Sequence, residues 1–165
     1  MKNIILIGMP GCGKTTFGKL LAEAMHRPFY DADSILSKKE GCSLPTLYTR
    51  GEDVFRLAEA EVVKELAKLD GAVIATGGGV VLRPENMELL GRNGIIIFID
   101  RRPEKIISCI NDKYVPLIGE DKVKIFEIYK QRIELYKNYA KVIIGNNGSS
   151  EETIAKLMLH CKNYF

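Results

Sequence analysis

The stretch with the clearest chemical meaning is GMPGCGKT, residues 8–15, which fits the pattern GxxxxGK[ST] at every fixed position. Glycines allow the backbone to wrap around an anion with successive N–H groups turned inward. The pattern therefore predicts a loop that holds the phosphates of a nucleoside triphosphate. We expect the Lys14 ammonium to reach the outer phosphates and the Thr15 hydroxyl to coordinate Mg²⁺. The predicted nucleotide-binding set is Gly11, Cys12, Gly13, Lys14, Thr15 and Thr16.

A pair of carboxylates follows in FYDAD, residues 29–33. Asp31 and Asp33 are two positions apart, so on an extended backbone their side chains project to the same side. Such a pair beside a triphosphate suits Mg²⁺ held through water, together with contact to a substrate hydroxyl. The alternative is structural, because Asp33 alone could cap the helix that begins in SILSKKEG.

Two further features could contact a substrate. Arg56 lies in GEDVFR on a predicted helix, with Glu52 and Glu59 within helical reach. The structural alternative for Arg56 is a surface ion pair, which contributes little to stability. The run ATGGGVV ends a predicted strand in three glycines, residues 77–79. Such a run loses much entropy on folding unless a backbone or a ligand must come close.

These features need a scaffold, and the apolar pattern supplies one. Short β-branched runs at 3–7, 28–30, 72–75, 95–99 and 142–144 alternate with longer amphipathic helical stretches. Near-continuous apolar runs are typical of strands buried on both faces. The alternation predicts an α/β fold, in which helices cover both sides of a parallel sheet and ligands lie at the carboxyl ends of the strands. We expect one domain over residues 1–165.

Composition narrows the class of protein. The chain has 165 residues, 46% of them hydrophobic and 27% charged, with a net charge of +3. These values are typical of a soluble globular protein, and the charge is too small to indicate a nucleic-acid partner. The amino-terminal apolar run is too short to span a membrane. Four cysteines without a CxxC pair and two isolated histidines argue against a zinc site and favour a reducing cytoplasm.

The motifs GMPGCGKTT, DAD, GEDVFR, TGGGVV and RIELYKNYA, in this order and spacing, resemble those of shikimate kinases. The resemblance covers nearly the whole chain. It implies the three-layer α/β/α P-loop kinase fold, with a five-stranded parallel sheet in the order 2-3-1-4-5. It also implies a cytoplasmic monomer that transfers the γ-phosphate of ATP to the 3-hydroxyl of shikimate, in aromatic amino acid biosynthesis, with Mg²⁺ as cofactor.

The resemblance also assigns roles within a substrate-binding region at about 31–62 and beyond it. Asp33 corresponds to the ligand of the shikimate hydroxyls and the candidate base, and Asp31 to the carboxylate that holds the Mg²⁺ waters. Arg56 and Arg132 correspond to the pair that grips the substrate carboxylate. The glycines that meet the substrate through their backbone correspond to Gly77, Gly78 and Gly79.

The chain departs from the family pattern at two positions, one in the predicted lid at about 109–122 and one just before it. Val115 and Ser108 stand where family members usually carry arginines. Three interpretations remain open: Lys113 substitutes as the catalytic cation; Arg101, Arg102 or a partner chain supplies it; or turnover is slow. The alternative functions are a kinase for another hydroxy acid, such as gluconate, or for a nucleotide, and a non-catalytic protein that binds nucleotide or shikimate.

Overall fold

The computed structural model describes residues 1–109 and 122–164 and contains a five-stranded parallel sheet. The strand order is β2-β3-β1-β4-β5, which confirms the predicted order. The strands are β1 (Asn3–Ile7), β2 (Phe29–Asp31), β3 (Val73–Ala75), β4 (Gly94–Asp100) and β5 (Val142–Gly145). Leu6 of the central strand is level with Ala75 on one side and Ile97 on the other. The carboxyl ends of β1, β3 and β4 therefore lie at the same edge of the sheet.

Eight α-helices occur within the described residues. They are α1 (Lys14–Ala24), α2 (Ala32–Glu40), α3 (Leu44–Thr49), α4 (Glu52–Leu66), α5 (Pro84–Arg92), α6 (Pro103–Cys109), α7 (Val123–Tyr139) and α8 (Ser150–Lys162), with a 3₁₀ turn at Val80–Leu82. The predicted lid lies almost wholly at 110–121, so Lys113 and Val115 are outside the described residues. No helix in the part of the chain that the structure describes is long and apolar enough to cross a bilayer.

The core lies on both faces of the central strands. Ile4, Ile5, Leu6 and Ile7 are all fully buried, although consecutive residues of a strand point to opposite faces. Both faces of β1 must therefore be covered, as the continuous apolar run predicted. The edge strand β5 alternates instead, and its Ile143 is 49% exposed.

The junction of β2 and α2 differs from the expectation. The extended strand ends at Asp31 and helix α2 begins at Ala32, so Asp33 lies in the first helical turn. The Asp31 carboxylate, rather than that of Asp33, caps α2 by accepting a hydrogen bond from the Ser34 N–H at 3.0 Å. The inference that both carboxylates project from one extended backbone is therefore wrong. Because Asp31 caps the helix, the Asp33 carboxylate is available to face the cleft described below.

Candidate active site

The loop between β1 and α1 has the geometry of an anion-binding turn. Gly8, Gly11 and Gly13 have φ values of 148°, 76° and 106°, which disfavour other residues. A Cβ atom on Gly8 would lie 2.6 Å from the Ile99 carbonyl oxygen. Helix α1 starts at Lys14, so its unpaired N–H groups and its positive dipole end face the loop.

The Lys14 ammonium lies within this loop. Its Nζ donates to the carbonyl oxygens of Gly8 and Met9, at 2.8 Å each, and the residue is only 8% exposed. Cys12 is fully buried, with its Sγ 3.7 Å from Nζ. The loop thus holds a buried cation among backbone dipoles, an environment that attracts phosphate oxygens.

The loop forms one wall of a cleft of about 170 Å³. The opposite wall comes from α2, α3, α4 and the segment that follows β3. Its polar members are Asp33, Arg56, Glu59, Thr76 and the glycines 77–79, and its apolar members are Leu44, Pro45, Tyr48 and Phe55. The structure therefore brings Lys14, Thr15 and Thr16 into the same cleft as Asp33, Arg56 and the glycine run.

Thr15 and Asp31 form an oxygen-rich corner beside the loop. The Thr15 hydroxyl donates to Asp31 Oδ2 at 2.5 Å. Hydroxyl and carboxylate oxygens are hard ligands that suit Mg²⁺, which takes few protein ligands and keeps waters and phosphate oxygens. Within the residues that the structure describes, no three His, Cys, Asp or Glu side chains cluster as a metal site. The donors at this corner fit a phosphate-bound Mg²⁺.

Asp33 has an electrostatic environment that suits a general base. Burial raises its pKa from 3.8 to about 6, and the carboxylates of Asp31 and Glu59 act in the same direction. The positive charges of Lys14 and Arg56 oppose the rise. A base is most effective when its pKa lies near the working pH, so a value of about 6 is useful at neutral pH.

The Arg56–Glu59 ion pair is buried, so the structural alternative of a surface ion pair does not describe it. Arg56 is 8% exposed and Glu59 3%, and Nη1 lies 3.0 Å from Glu59 Oε2. Burial raises the pKa of the Glu59 carboxyl, although the charge of Arg56 lowers it. Sequence reasoning missed Glu59 as a cleft residue. The available signal was its spacing, since a residue three positions from Arg56 shares its helix face.

Each glycine of the 77–79 run is needed for a different close approach. A Cβ on Gly77 would lie 2.7 Å from Glu59 Oε1 and 2.8 Å from Asp33 Oδ1. A Cβ on Gly78 would clash with Pro10, and one on Gly79 with the Arg56 guanidinium. The Asp33 and Glu59 carboxylates therefore converge on Gly77, and no side chain fits along the run.

Arg132 lies behind the cleft on α7. It is 6% exposed, and its Nε and Nη1 have no hydrogen-bond partner among the described residues. It does not line the cleft, but its charge acts on Glu59 and Tyr48, which do. One helical turn later, the buried Tyr136 hydroxyl donates to the Gly78 carbonyl at 2.6 Å. Helix α7 thus supplies a positive charge close to the cleft residues Glu59 and Tyr48, and a hydrogen bond that fixes the glycine run.

Arg101 and Arg102, two candidates to replace the absent arginines, have different surroundings, and Ser108 occupies one of the two arginine positions. Ser108 lies in the last turn of α6, and its hydroxyl donates to the Lys105 carbonyl oxygen at 2.8 Å. The Arg101 guanidinium contacts the phosphate loop at the Gly11 carbonyl oxygen, 3.2 Å away. The Arg102 side chain is exposed and makes no hydrogen bond to the loop among the described residues. Lys113 lies outside the described residues.

Comparison with known proteins identifies the family. The family model described as shikimate kinase matches residues 10–162. The chain belongs to the shikimate kinase family. A shikimate kinase of Clostridium botulinum (strain Eklund 17B / Type B) is 44% identical over 158 residues, covering 95% of this chain and 96% of the relative.

Solved structures of the family agree with this assignment. The shikimate kinase from Acinetobacter baumannii in complex with shikimate superposes with a TM-score of 0.92 at 32% identity, covering 99% of this chain and 94% of the other. The shikimate kinase from Aquifex aeolicus vf5 gives a TM-score of 0.84 at 32% identity, with coverage of 98% and 97%. Family membership makes the chain an ATP-dependent phosphotransferase.

Proposed function

We propose that the protein transfers the γ-phosphate of ATP to the 3-hydroxyl of shikimate and forms shikimate 3-phosphate for aromatic amino acid biosynthesis. The observation that carries this proposal is a single cleft, with the Lys14 loop on one wall and the buried Arg56 and half-buried Asp33 on the other. Phosphoryl transfer depends mainly on alignment and charge neutralisation, and two facing walls with these side chains support both.

The acceptor carboxylate would bind to Arg56 and Arg132. Arg132 Nε and Nη1 are buried N–H groups without a hydrogen-bond acceptor among the described residues. Arg56 Nε also lacks one, since its nearest ion-pair contact, Glu52 Oε1, lies 3.6 Å away. Leaving such donors unsatisfied is unfavourable, and a planar guanidinium binds a carboxylate through two parallel hydrogen bonds. This arrangement favours a hydroxy acid over a neutral sugar as the acceptor, and the backbone of Gly77, Gly78 and Gly79 lines the cleft beside it.

The proposed reaction uses Asp33 as the base. Its ionised carboxylate takes the proton of the acceptor hydroxyl as that oxygen forms a bond to the γ-phosphorus. The bond between the γ-phosphorus and the bridging oxygen breaks, and ADP leaves with the electron pair. Lys14 and the inward N–H groups of the loop stabilise the negative charge on the phosphate oxygens, while the glycine run and Arg56 hold the acceptor in line.

Mg²⁺ completes the proposed site at the Thr15 and Asp31 corner. Thr15 would bind the ion directly, and Asp31 would hold its waters, as their 2.5 Å contact supports. When bound, the ion neutralises phosphate charge. We further propose a monomer, because one chain supplies both walls, and a cytoplasmic location, because all four cysteines are free thiols.

The experiment is to incubate the protein with ATP, Mg²⁺ and shikimate and to detect shikimate 3-phosphate by mass spectrometry. Two matched acceptors sharpen it: shikimate methyl ester, which lacks the negative carboxylate, and gluconate, a different hydroxy acid. We expect rapid product formation with shikimate and little with either control. A preference for gluconate, or ADP and shikimate binding without any product, would contradict the proposal.

A further inference from the structure

Two consecutive carbonyl groups of the phosphate loop are held from outside the loop. Arg101 Nη1 donates to the Gly11 oxygen at 3.2 Å, and Asn146 Nδ2 donates to the Cys12 oxygen at 2.9 Å. Arg101 directly follows β4, and Asn146 directly follows β5. The carboxyl ends of two neighbouring strands thus each supply one side chain; we refer to Arg101 and Asn146 as the outer anchors.

Peptide geometry gives these contacts a consequence for phosphate binding. In a planar trans peptide the C=O and the following N–H point in opposite directions. Holding the Gly11 and Cys12 carbonyls outward therefore turns the N–H groups of Cys12 and Gly13 inward. The Cys12 N–H indeed points across the loop, where it donates to the Met9 carbonyl oxygen at 3.2 Å, and the same oxygen accepts from Lys14 Nζ. In the nucleotide-free loop this N–H is therefore paired, and a phosphate oxygen would replace Met9 as its acceptor.

The two outer anchors are themselves fixed. The Thr153 hydroxyl donates to Asn146 Oδ1 at 3.0 Å, so the amide nitrogen of Asn146 faces the loop. Arg101 has a second contact, from Nη2 to Cys109 Sγ at 3.2 Å, at the end of α6. Its guanidinium therefore bridges the phosphate loop and α6, and a change at this side chain should change the loop.

We propose that Arg101 is a positioning residue for the nucleotide: it holds the Gly11 carbonyl outward so that the loop N–H groups face the phosphates. This inference rests on the proposed function in that the loop binds the phosphates of ATP. Amides that are already turned inward bind an anion with less reorganisation of the loop, which strengthens binding. Arg101 acts here through the loop backbone rather than on the reacting atoms.

The test compares Arg101→Gln with Arg102→Gln, its neighbour of the same type whose exposed side chain makes no hydrogen bond to the loop. ADP and shikimate binding are measured by titration calorimetry. Because the loop loses a hydrogen bond from a charged donor, we expect Arg101→Gln to weaken ADP binding by about tenfold or more. Shikimate affinity should stay within about twofold in both variants, and Arg102→Gln should bind ADP like the wild type.

Two further measurements separate positioning from a general charge effect. Arg101→Lys keeps the positive charge but loses the planar guanidinium with its two separate donors, Nη1 and Nη2. It should therefore bind ADP with an affinity between those of the wild type and Arg101→Gln. In nuclear magnetic resonance spectra of the nucleotide-free protein, the amide signals of Cys12 and Gly13 should move in Arg101→Gln and stay in place in Arg102→Gln.

The proposal is wrong if Arg101→Gln binds ADP within twofold of the wild type, or if the Cys12 and Gly13 signals do not move. It is also wrong if shikimate binding falls as much as ADP binding, since that would indicate general damage to the fold. Failure of the proposed function looks different: a wild-type protein that binds ADP but does not phosphorylate shikimate would leave this comparison fully interpretable.

Discussion

The two walls of the cleft hold their positive charges in different ways. On the phosphate wall, residues 8–16, Lys14 Nζ is bonded to two backbone carbonyls of its own loop. The acceptor wall is formed by Asp33, Arg56, Glu59 and the glycines 77–79, with Arg132 behind it. Three buried N–H groups of its two guanidinium groups have no hydrogen-bond acceptor within the described part of the chain. One wall is built from local backbone, and the other from side chains that converge from α2, α4 and α7.

This difference indicates how binding energy is distributed. The phosphate wall depends on loop conformation, so its affinity should respond to changes in the loop and its outer anchors. The acceptor wall contains buried guanidinium N–H groups that a substrate carboxylate would pair with. Its affinity for the acceptor should therefore respond to the loss of a single arginine. Variants of one wall should therefore change the binding of one substrate far more than that of the other.

The largest expected effect is that of Asp33→Asn. Removing the base while keeping the side-chain shape should lower kcat by about 10³-fold, within the range for general base catalysis. ADP binding should be unchanged, because Asp33 belongs to the acceptor wall. Steady-state kinetics and calorimetry measure both quantities, with the exposed Asp53→Asn on α4 as control.

The same variant gives an independent stability readout. A folded-state pKa raised to about 6 means that the folded protein binds the Asp33 proton more tightly than the unfolded chain. Ionisation of Asp33 therefore lowers stability as the pH rises through about 6. Asp33→Asn should therefore melt at the same or a higher temperature than the wild type at pH 8. In the kinetic experiment, full activity of this variant would exclude Asp33 as the base.

Lys14→Ala should come next, with kcat lowered by about 10²–10³-fold, as for the loss of one preorganised electrostatic donor. ADP binding should weaken, while shikimate binding should persist because the acceptor wall is intact. Lys19→Ala, an exposed lysine on the same helix, is the control and should behave as the wild type. Equal losses for both ligands would contradict the division between the walls.

Arg132→Ala should raise the KM for shikimate by about 10²-fold, because two charge-assisted hydrogen bonds are lost, with a much smaller effect on the KM for ATP. Lys130→Ala, exposed on the same helix, serves as control. Equal effects of Arg132→Ala on both KM values would argue against a carboxylate role for Arg132.

Arg56→Ala should also raise the KM for shikimate. In addition, it should lower the free energy of unfolding by about 3 kcal/mol or more, since Glu59 stays buried without its partner.

The smallest effect is the pH dependence of the wild type. Since the base must be ionised, kcat/KM for shikimate should be level above pH 7 and fall about tenfold per pH unit well below pH 6. The midpoint follows from the raised pKa of Asp33, about 6. A profile that stays level down to pH 5 would show that no group with this pKa controls the reaction.

Much of the fold followed from local patterns. The five apolar runs predicted all five strands, and GMPGCGKT predicted a loop that ends where α1 begins at Lys14. The junction at Asp31 was less predictable, because the choice between one more extended residue and the first helical turn depends on which carboxylate meets the Ser34 N–H. Sequence analysis also missed Glu59 and Tyr48 as cleft residues, because whether their side chains face the cleft depends on how α3 and α4 pack.

The sequence by itself determined the phosphate loop and the parallel sheet, because both follow from glycine conformational freedom and from the spacing of apolar residues over short stretches. Only the tertiary structure decided that the Arg56–Glu59 pair is buried, that the Asp33 and Glu59 carboxylates converge on Gly77, and that Arg101 and Asn146 hold the loop. The physical reason is that burial and convergence depend on elements up to 134 positions apart in the chain, as for Asn146 and Cys12. Their distance in space is set by packing and not by local sequence.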